Sequence, residues 1–174
     1  MSGDTGERFA TPRALSKKGF ALRPEREEDI HFLSLLFYTT RAEETERFSN
    51  MAYEQRVAFL HSQFELQRKH YYSHFPWCQY MVLEKDGAPV GRLYLDMAPD
   101  SLDVLDISLM PQSRGHGTGT MLMEAVIDLA RTTGRRVGLF VERFNPAFNL
   151  YRRLGFEEVA DTGVYIEMHW KAAA

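Results

Sequence analysis

Cysteine is nearly missing from this sequence. Cys78 stands alone among 174 residues, so no disulfide can form within the chain. That fits a reducing compartment, and a cytoplasmic location is the expectation. Cys78 lies in a strand-like run, where a small buried thiol is its ordinary role. Excess positive charge is missing too: 21 Lys and Arg face 24 Asp and Glu, for a net charge of −3. No global basic field is present to gather nucleic acid or an anionic membrane surface. No apolar run reaches the roughly 18 residues of a membrane span. The N-terminus has no charged stretch followed by an apolar one, so no secretory leader is expected. Internal repeats and linkers are also absent.

What is there suffices for one domain with a sizeable core. Residues 1 to about 17 are polar and small and read as a flexible tail, leaving 18–174 as a single domain. "FALR" (20–23) reads as a strand. "PEREEDIHFLSLLFY" (24–38) reads as a helix, with Pro24 in its first turn and Ile30, Leu33, Leu36 and Phe37 on one face. A second helix is expected over 51–72, with Val57, Leu60, Phe64 and Leu66 apolar. "CQYMVLE", the turn "KDG" and "APVGRLYLDM" (78–97) read as a hairpin. "LDVLDISLM" (102–110) is a strand, a helix covers about 115–132, and Gly134 ends it. "RRVGLFVE" (135–142) is a strand. "NPAFNLYRRLGF" (145–156) is a helix capped by Asn145, started by Pro146 and ended by Gly155. A hairpin turning at 161–163 closes the chain. This order predicts an α/β fold: a mixed, mostly antiparallel central sheet of six to seven strands with helices on both faces.

The most telling stretch is "PQSRGHGTGTMLMEAV" (111–126). A strand, a turn bearing Gly115, Gly117 and Gly119, and a helix start make a potential anion site, because a helix N-terminus presents unpaired N–H groups. It is not a Walker loop, since no Lys-Ser/Thr pair follows the last glycine. It is not a dinucleotide fingerprint, since the spacing is G-x-G-x-G. The glycines alone are also compatible with a tight turn that lets the helix pack closely.

Two motifs taken together resemble the Gcn5-related N-acetyltransferase (GNAT) family. Arg114, Gly117 and Gly119, with Gly115 as a frequent extra glycine, match its R/Q-x-x-G-x-G/A phosphate loop. Asn145, Leu150, Tyr151, a basic residue at 152 or 153, Gly155 and Phe156 match its later motif. The resemblance is strong over about 78–170 and vague over 20–77. It implies a sheet splayed between "DISLM" and "GLFVE", with acetyl-CoA as co-substrate lying in the splay. Residues 114–120 (Arg114, Gly115, His116, Gly117, Thr118, Gly119, Thr120) would hold its pyrophosphate, and Leu109, Met110, Asn145 and Tyr151 would border its pantetheine arm and thioester. By the same resemblance, the Leu109 N–H would meet the thioester carbonyl. Arg114 could either bond the ligand or brace the loop.

Tyr151 is the candidate acid for the departing thiolate, and Glu142 and Asp106 are candidate bases, alongside water. Asp106 attracts notice as an acid inside an apolar run. The implied function is transfer of an acetyl group from acetyl-CoA to an amine, in a small molecule or at a protein N-terminus or lysine, by direct attack in a ternary complex. Alternatives are a non-catalytic acyl-CoA sensor, or an acyltransferase using a larger acyl group or a carrier-protein thioester. No metal is expected: His70 and His74 are spaced i, i+4 but lack a third ligand, and Asp96, Asp100, Asp103 and Asp106 lack a calcium-loop pattern. Arg131, Arg135 and Arg136 read as a solvated helix end or a contact for the 3′-phosphate. The aromatic stretch 51–77 could wall an acceptor pocket or form a homodimer face. No membrane partner is expected, and nucleic acid is disfavoured.

Overall fold

Side-chain alternation along the strands decides which layer each residue joins. The computed structural model describes the backbone of residues 6–46 and 50–174, and of these all side chains but those of 42–46. The elements are α1 (Arg13–Ser16), β1 (Phe20–Pro24), a 3-10 turn (Glu27–Asp29), α2 (Ile30–Glu46), α3 (Tyr53–His74), β2 (Cys78–Lys85), β3 (Ala88–Met97), β4 (Ser101–Leu109), a second 3-10 turn (Pro111–Ser113), α4 (Thr118–Thr133), β5 (Arg136–Val141), α5 (Ala147–Arg153), β6 (Glu157–Asp161) and β7 (Ile166–Trp170). The seven strands form one sheet in the order β1-β2-β3-β4-β5-β7-β6. Every pair is antiparallel except β4 with β5. This is the expected mixed, mostly antiparallel sheet.

On β2, Met81 and Leu83 enter the larger core together with Leu93, Leu95 and Met97 of β3, Leu122, Met123 and Val126 of α4 and Phe148 of α5. Val82 points the other way, into a smaller core made by Leu33 and Phe37 of α2 and Phe64 of α3. Helices therefore cover both faces, α1, α4 and α5 on one and α2 and α3 on the other. The amphipathic α4 starts at Gly117 and ends at Gly134, both left-handed at φ 78° and 69°. In each case glycine carries the positive φ that a side chain would resist.

Three expectations need correction. Residues 1–5 lie outside the described part of the expected tail, but its remainder is not loose. Leu15 is fully buried and Phe9 nearly so, both in the larger core. The Phe9 N–H bonds Gln79 Oε1 at 2.9 Å, and Glu7 pairs with Arg135 at 2.7 Å. Burying Leu15 alone contributes about 2 kcal/mol, ample reason for the segment to dock. Pro24 does not open a helix but ends β1 opposite Met81. β1 is an edge strand, where the missing N–H of proline is tolerated. Helix entry instead comes at the following turn, where Asp29 accepts the Arg26 N–H at 2.8 Å and is gripped twice by Arg23. Finally, the apolar faces are narrower than expected: Ile30 of α2 and Val57 and Leu66 of α3 are exposed, whereas Leu33, Leu36, Phe37 and Phe64 are buried.

Candidate active site

β4 and β5 run side by side only briefly. Their pairing spans Ser101–Val104 against Arg136–Leu139 and then stops. Beyond it, β4 pairs only with β3, and Phe140 and Val141 pair only with β7. The cause is local. The β3–β4 register steps from Tyr94↔Asp106 to Leu95↔Val104, which leaves Leu105 as a bulge. A bulge bends its strand, and here it turns β4 away from β5 and opens a gap. The expected splay between "DISLM" and "GLFVE" is this gap. Tyr71 of α3 secures the bend by donating its hydroxyl to the Leu105 carbonyl at 3.2 Å.

The gap leads to the glycine turn. Met110 donates its N–H to Val90 O at 2.8 Å. Bonded residues alternate in an antiparallel ladder, so Leu109, opposite Gly91, turns its N–H and carbonyl away from β3 and into the gap. Arg114 Nε bonds that Leu109 carbonyl at 2.8 Å, and its Nη2 reaches Thr39 Oγ1 at 3.4 Å. The side chain of Arg114 thus braces the loop, and its own N–H bonds Pro111 O. Gly115, His116 and Gly117 are exposed, and Thr118 is buried at the start of α4. The α4 ladder begins with Met121 N–H to Gly117 O at 3.0 Å, so the first-turn N–H groups of Thr118, Gly119 and Thr120 lack helical partners. A Cβ built on Gly115, Gly117 or Gly119 would meet nothing within 4 Å. Close packing is therefore not what these glycines serve. Positive φ accounts for Gly115 and Gly117, whereas Gly119 is helical and faces open space.

α5 walls the far side. Asn145 Oδ1 accepts the Ala147 N–H at 2.9 Å, capping the helix as its sequence implied. Gly155, at φ 95°, follows the last turn, where Phe156 N–H closes on Tyr151 O. The Tyr151 ring is buried, 5.7 Å from that of Phe156. Burial, and secondly the charge of Asp106, push its hydroxyl up to about 12. It stays protonated near neutral pH and can donate.

The two acids differ. Asp106 is bonded through one oxygen by Arg92 Nη2 at 2.7 Å and through the other by Ser108 Oγ at 2.5 Å. Arg92 is only 2% exposed and also bonds Gln67 of α3 at 2.9 Å. Both oxygens of Asp106 are thus engaged by neighbouring side chains. Glu142 lies half-buried in the turn after β5, and no described residue bonds its carboxylate. Sequence reasoning misses Arg92 and places Tyr71 only as core or cleft wall. The signal for Arg92 was available, since it is a charge inside the apolar run "VGRLYL", the same anomaly that marked Asp106.

The remaining candidates are accounted for by internal contacts. Burial, and then the charge of Asp96, raises the Cys78 thiol, against nucleophilic use. Arg135 is buried against Glu7, and Arg136 bonds Asp103 at 2.9 Å, so neither is a solvated helix end. Arg131 pairs with Asp128. His70 and His74 lie ring against ring at 4.4 Å. Among the described residues, no three His, Cys, Asp or Glu side chains converge as metal ligands. No helix among them is long and apolar enough to cross a membrane.

The Acetyltransferase (GNAT) family matches residues 40–156, which hold the gap, the glycine turn and Tyr151. A Bacillus subtilis protein named for N-acetylation of alanine in ribosomal protein bS18 is 31% identical over 84 residues, 47% of this chain and 56% of that one. An uncharacterized N-acetyltransferase of Methanocaldococcus jannaschii is 32% identical over 125 residues, 58% of this chain and 55% of that one. The chain thus spans little more than half the length of these two relatives. In fold it is similar to the PaiA N-acetyltransferase of Thermoplasma acidophilum, solved with coenzyme A: TM-score 0.62 at 18% identity, over 88% of this chain and 99% of that one. The chain belongs to the GNAT family of acetyltransferases.

Proposed function

We propose that this protein transfers an acetyl group from acetyl-CoA to an amine, by direct attack with donor and acceptor bound together. The observation that carries this is the continuity of the β4–β5 gap with the bare N–H groups at the start of α4. A diphosphate fits there because backbone donors and the helix N-terminus favour an anion, and the space over Gly115, Gly117 and Gly119 is open. Arg114 contributes by fixing the loop, and the Asn145 amide nitrogen remains available beside the cap. An extended pantetheine chain would take the place of the missing strand contact between β4 and β5.

In the reaction, the amine nitrogen bonds the acyl carbon and the carbon–sulfur bond breaks. The Leu109 N–H, aimed into the gap, donates to the acyl oxygen as negative charge grows on it. Tyr151, neutral at working pH, donates to the departing sulfur. The proton lost by the amine goes to water or to Glu142, whose carboxylate has no described partner. Asp106, held by Arg92 and Ser108, belongs to the network that braces β4 beside the gap.

Calorimetry with acetyl-CoA, followed by thiol release across a panel of amines, tests the reading. Binding is expected, with turnover on at least one amine class. Tyr151→Phe should preserve acetyl-CoA affinity and lower kcat by about 10²-fold, the usual worth of general-acid help. Absence of binding at millimolar acetyl-CoA would overturn the proposal. A loss of only a few-fold in kcat would assign Tyr151 to packing.

A further inference from the structure

One half of the sheet is covered on one face only. Leu139 and Val141 of β5 and Ile166, Met168 and Trp170 of β7 face the larger core. The residues between them face the opposite side, where α2 and α3 shelter β2 to β4. Neither α2 nor α3 packs extensively on β5, β7 or β6 there. Phe140, in the middle of the sheet, is consequently 60% exposed, and Glu167 and His169 are only half-buried. Register places Phe140 opposite Glu167, and Glu157 opposite His169, so these four share the bare face. At its rim, Phe144 is 96% exposed and Val164 67%.

We propose that this face docks a basic polypeptide segment whose amine enters the gap, an inference that rests on the acyl-transfer reading above. Three features select this occupant. The bare face begins where the β4–β5 pairing ends, so a chain lying on it leads its terminus straight to the gap. A small amine seated in the gap would leave Phe140 and Phe144 open to water, whereas a polypeptide covers them. The charge is also one-sided. Glu157 and Glu167 lie on the face, and the cations nearby are already engaged: Arg136 with Asp103, and Arg143 with Glu158 and Asp161. His169, 2.8 Å from Glu167, offsets these acids only when protonated, and Lys171 lies just past the end of β7. Carboxylates around exposed aromatic rings complement lysine and arginine side chains, through ion pairing and cation–π contact.

The test uses short peptides of equal length with a free α-amine and a C-terminal fluorophore. One is rich in Arg and Lys, one is neutral and one is acidic. Anisotropy reads binding, and thiol release with acetyl-CoA reads turnover. The basic peptide should exceed the neutral one by about tenfold in kcat/KM, with the advantage shrinking as salt rises. The double variant Glu157→Gln/Glu167→Gln should abolish that preference, and Phe140→Ala should raise KM for the peptide while leaving acetyl-CoA affinity intact. Equal kcat/KM for all three peptides, or turnover of small amines alone, would overturn the docking proposal while acyl transfer stands. Sedimentation showing a dimer that Phe140→Asp dissociates, with peptide turnover unchanged, would also overturn it by assigning the face to a second copy. Salt-sensitive binding of the basic peptide that depends on Phe140 and the two glutamates, without turnover of any amine, would uphold docking and refute the acyl-transfer reading.

Discussion

Asp96 is destabilised by its neighbours. It sits on β3 directly opposite Asp103, is 7% exposed, and its Oδ1 has no described partner. Burial first, then the Asp103 charge, push its carboxyl from 3.8 up to about 6. The native state therefore takes up a proton more readily than the unfolded chain. The sign follows by linkage: the favourable contribution is complete below about pH 4 and is lost as pH rises through about 6. Above that window the buried charge costs at most about 3 kcal/mol. Asp96→Asn keeps the shape and an acceptor for the neighbouring backbone but carries no charge. Urea melts should find the variant more stable than the parent at pH 7.5 and no more stable at pH 4. An equal gain at both pH values would show that the charge is not the cause.

At the scale of elements, the turn into α4 allows binding to be separated from folding. Gly117 is a poor probe, because its φ of 78° strains any side chain whether or not a ligand binds. Gly119 is helical, and a Cβ there meets nothing within 4 Å. Gly119→Val should leave the melting temperature of the free protein at or above its starting value, since glycine is the poorer helix former by roughly 0.5 kcal/mol. The same branched side chain would occupy the space above the first turn, and acetyl-CoA affinity should fall by an order of magnitude or more. Unchanged affinity would place the pyrophosphate elsewhere. The elements easiest to read in the sequence were those whose ends carry their own chemistry. Asn145, Pro146 and Gly155 delimit α5, and glycines delimit α4. The N-terminal segment was misread because its core contacts rest on two apolar residues, Phe9 and Leu15, too far apart to show a period. Pro24 was misread because proline suits an edge strand as well as a helix start, and only the register with Met81 decides. The bulge at Leu105, which makes the gap, carries no residue preference of its own and became visible only in the β3–β4 pairing.

Across the whole molecule, the gap divides the sheet into two halves, β1 to β4 and β5 to β7, and few connections cross between them. Four register pairs join β4 to β5, and α4 packs against both strands. The N-terminal segment makes a third link. Its Phe9 N–H and Glu7 carbonyl grip Gln79 on β2, and its Glu7 carboxylate grips Arg135 just before β5. Along the gap, 105–109 and 140–141 have no strand across from them, and unpaired backbone opens readily. A ligand that only anchors its diphosphate at the turn would protect residues 115–120 and nothing more. An acyl donor that also runs through the gap bonds both edges and couples the halves, stabilising the fold by mass action. Hydrogen exchange with saturating acetyl-CoA should therefore slow together at the turn, at 105–110 and at 139–142. Exchange in the hairpin of β2 and β3, already paired along its length, should change little. Protection confined to 115–120 would mean that the donor does not fill the gap, and the Leu109 N–H would then lose its role at the acyl oxygen.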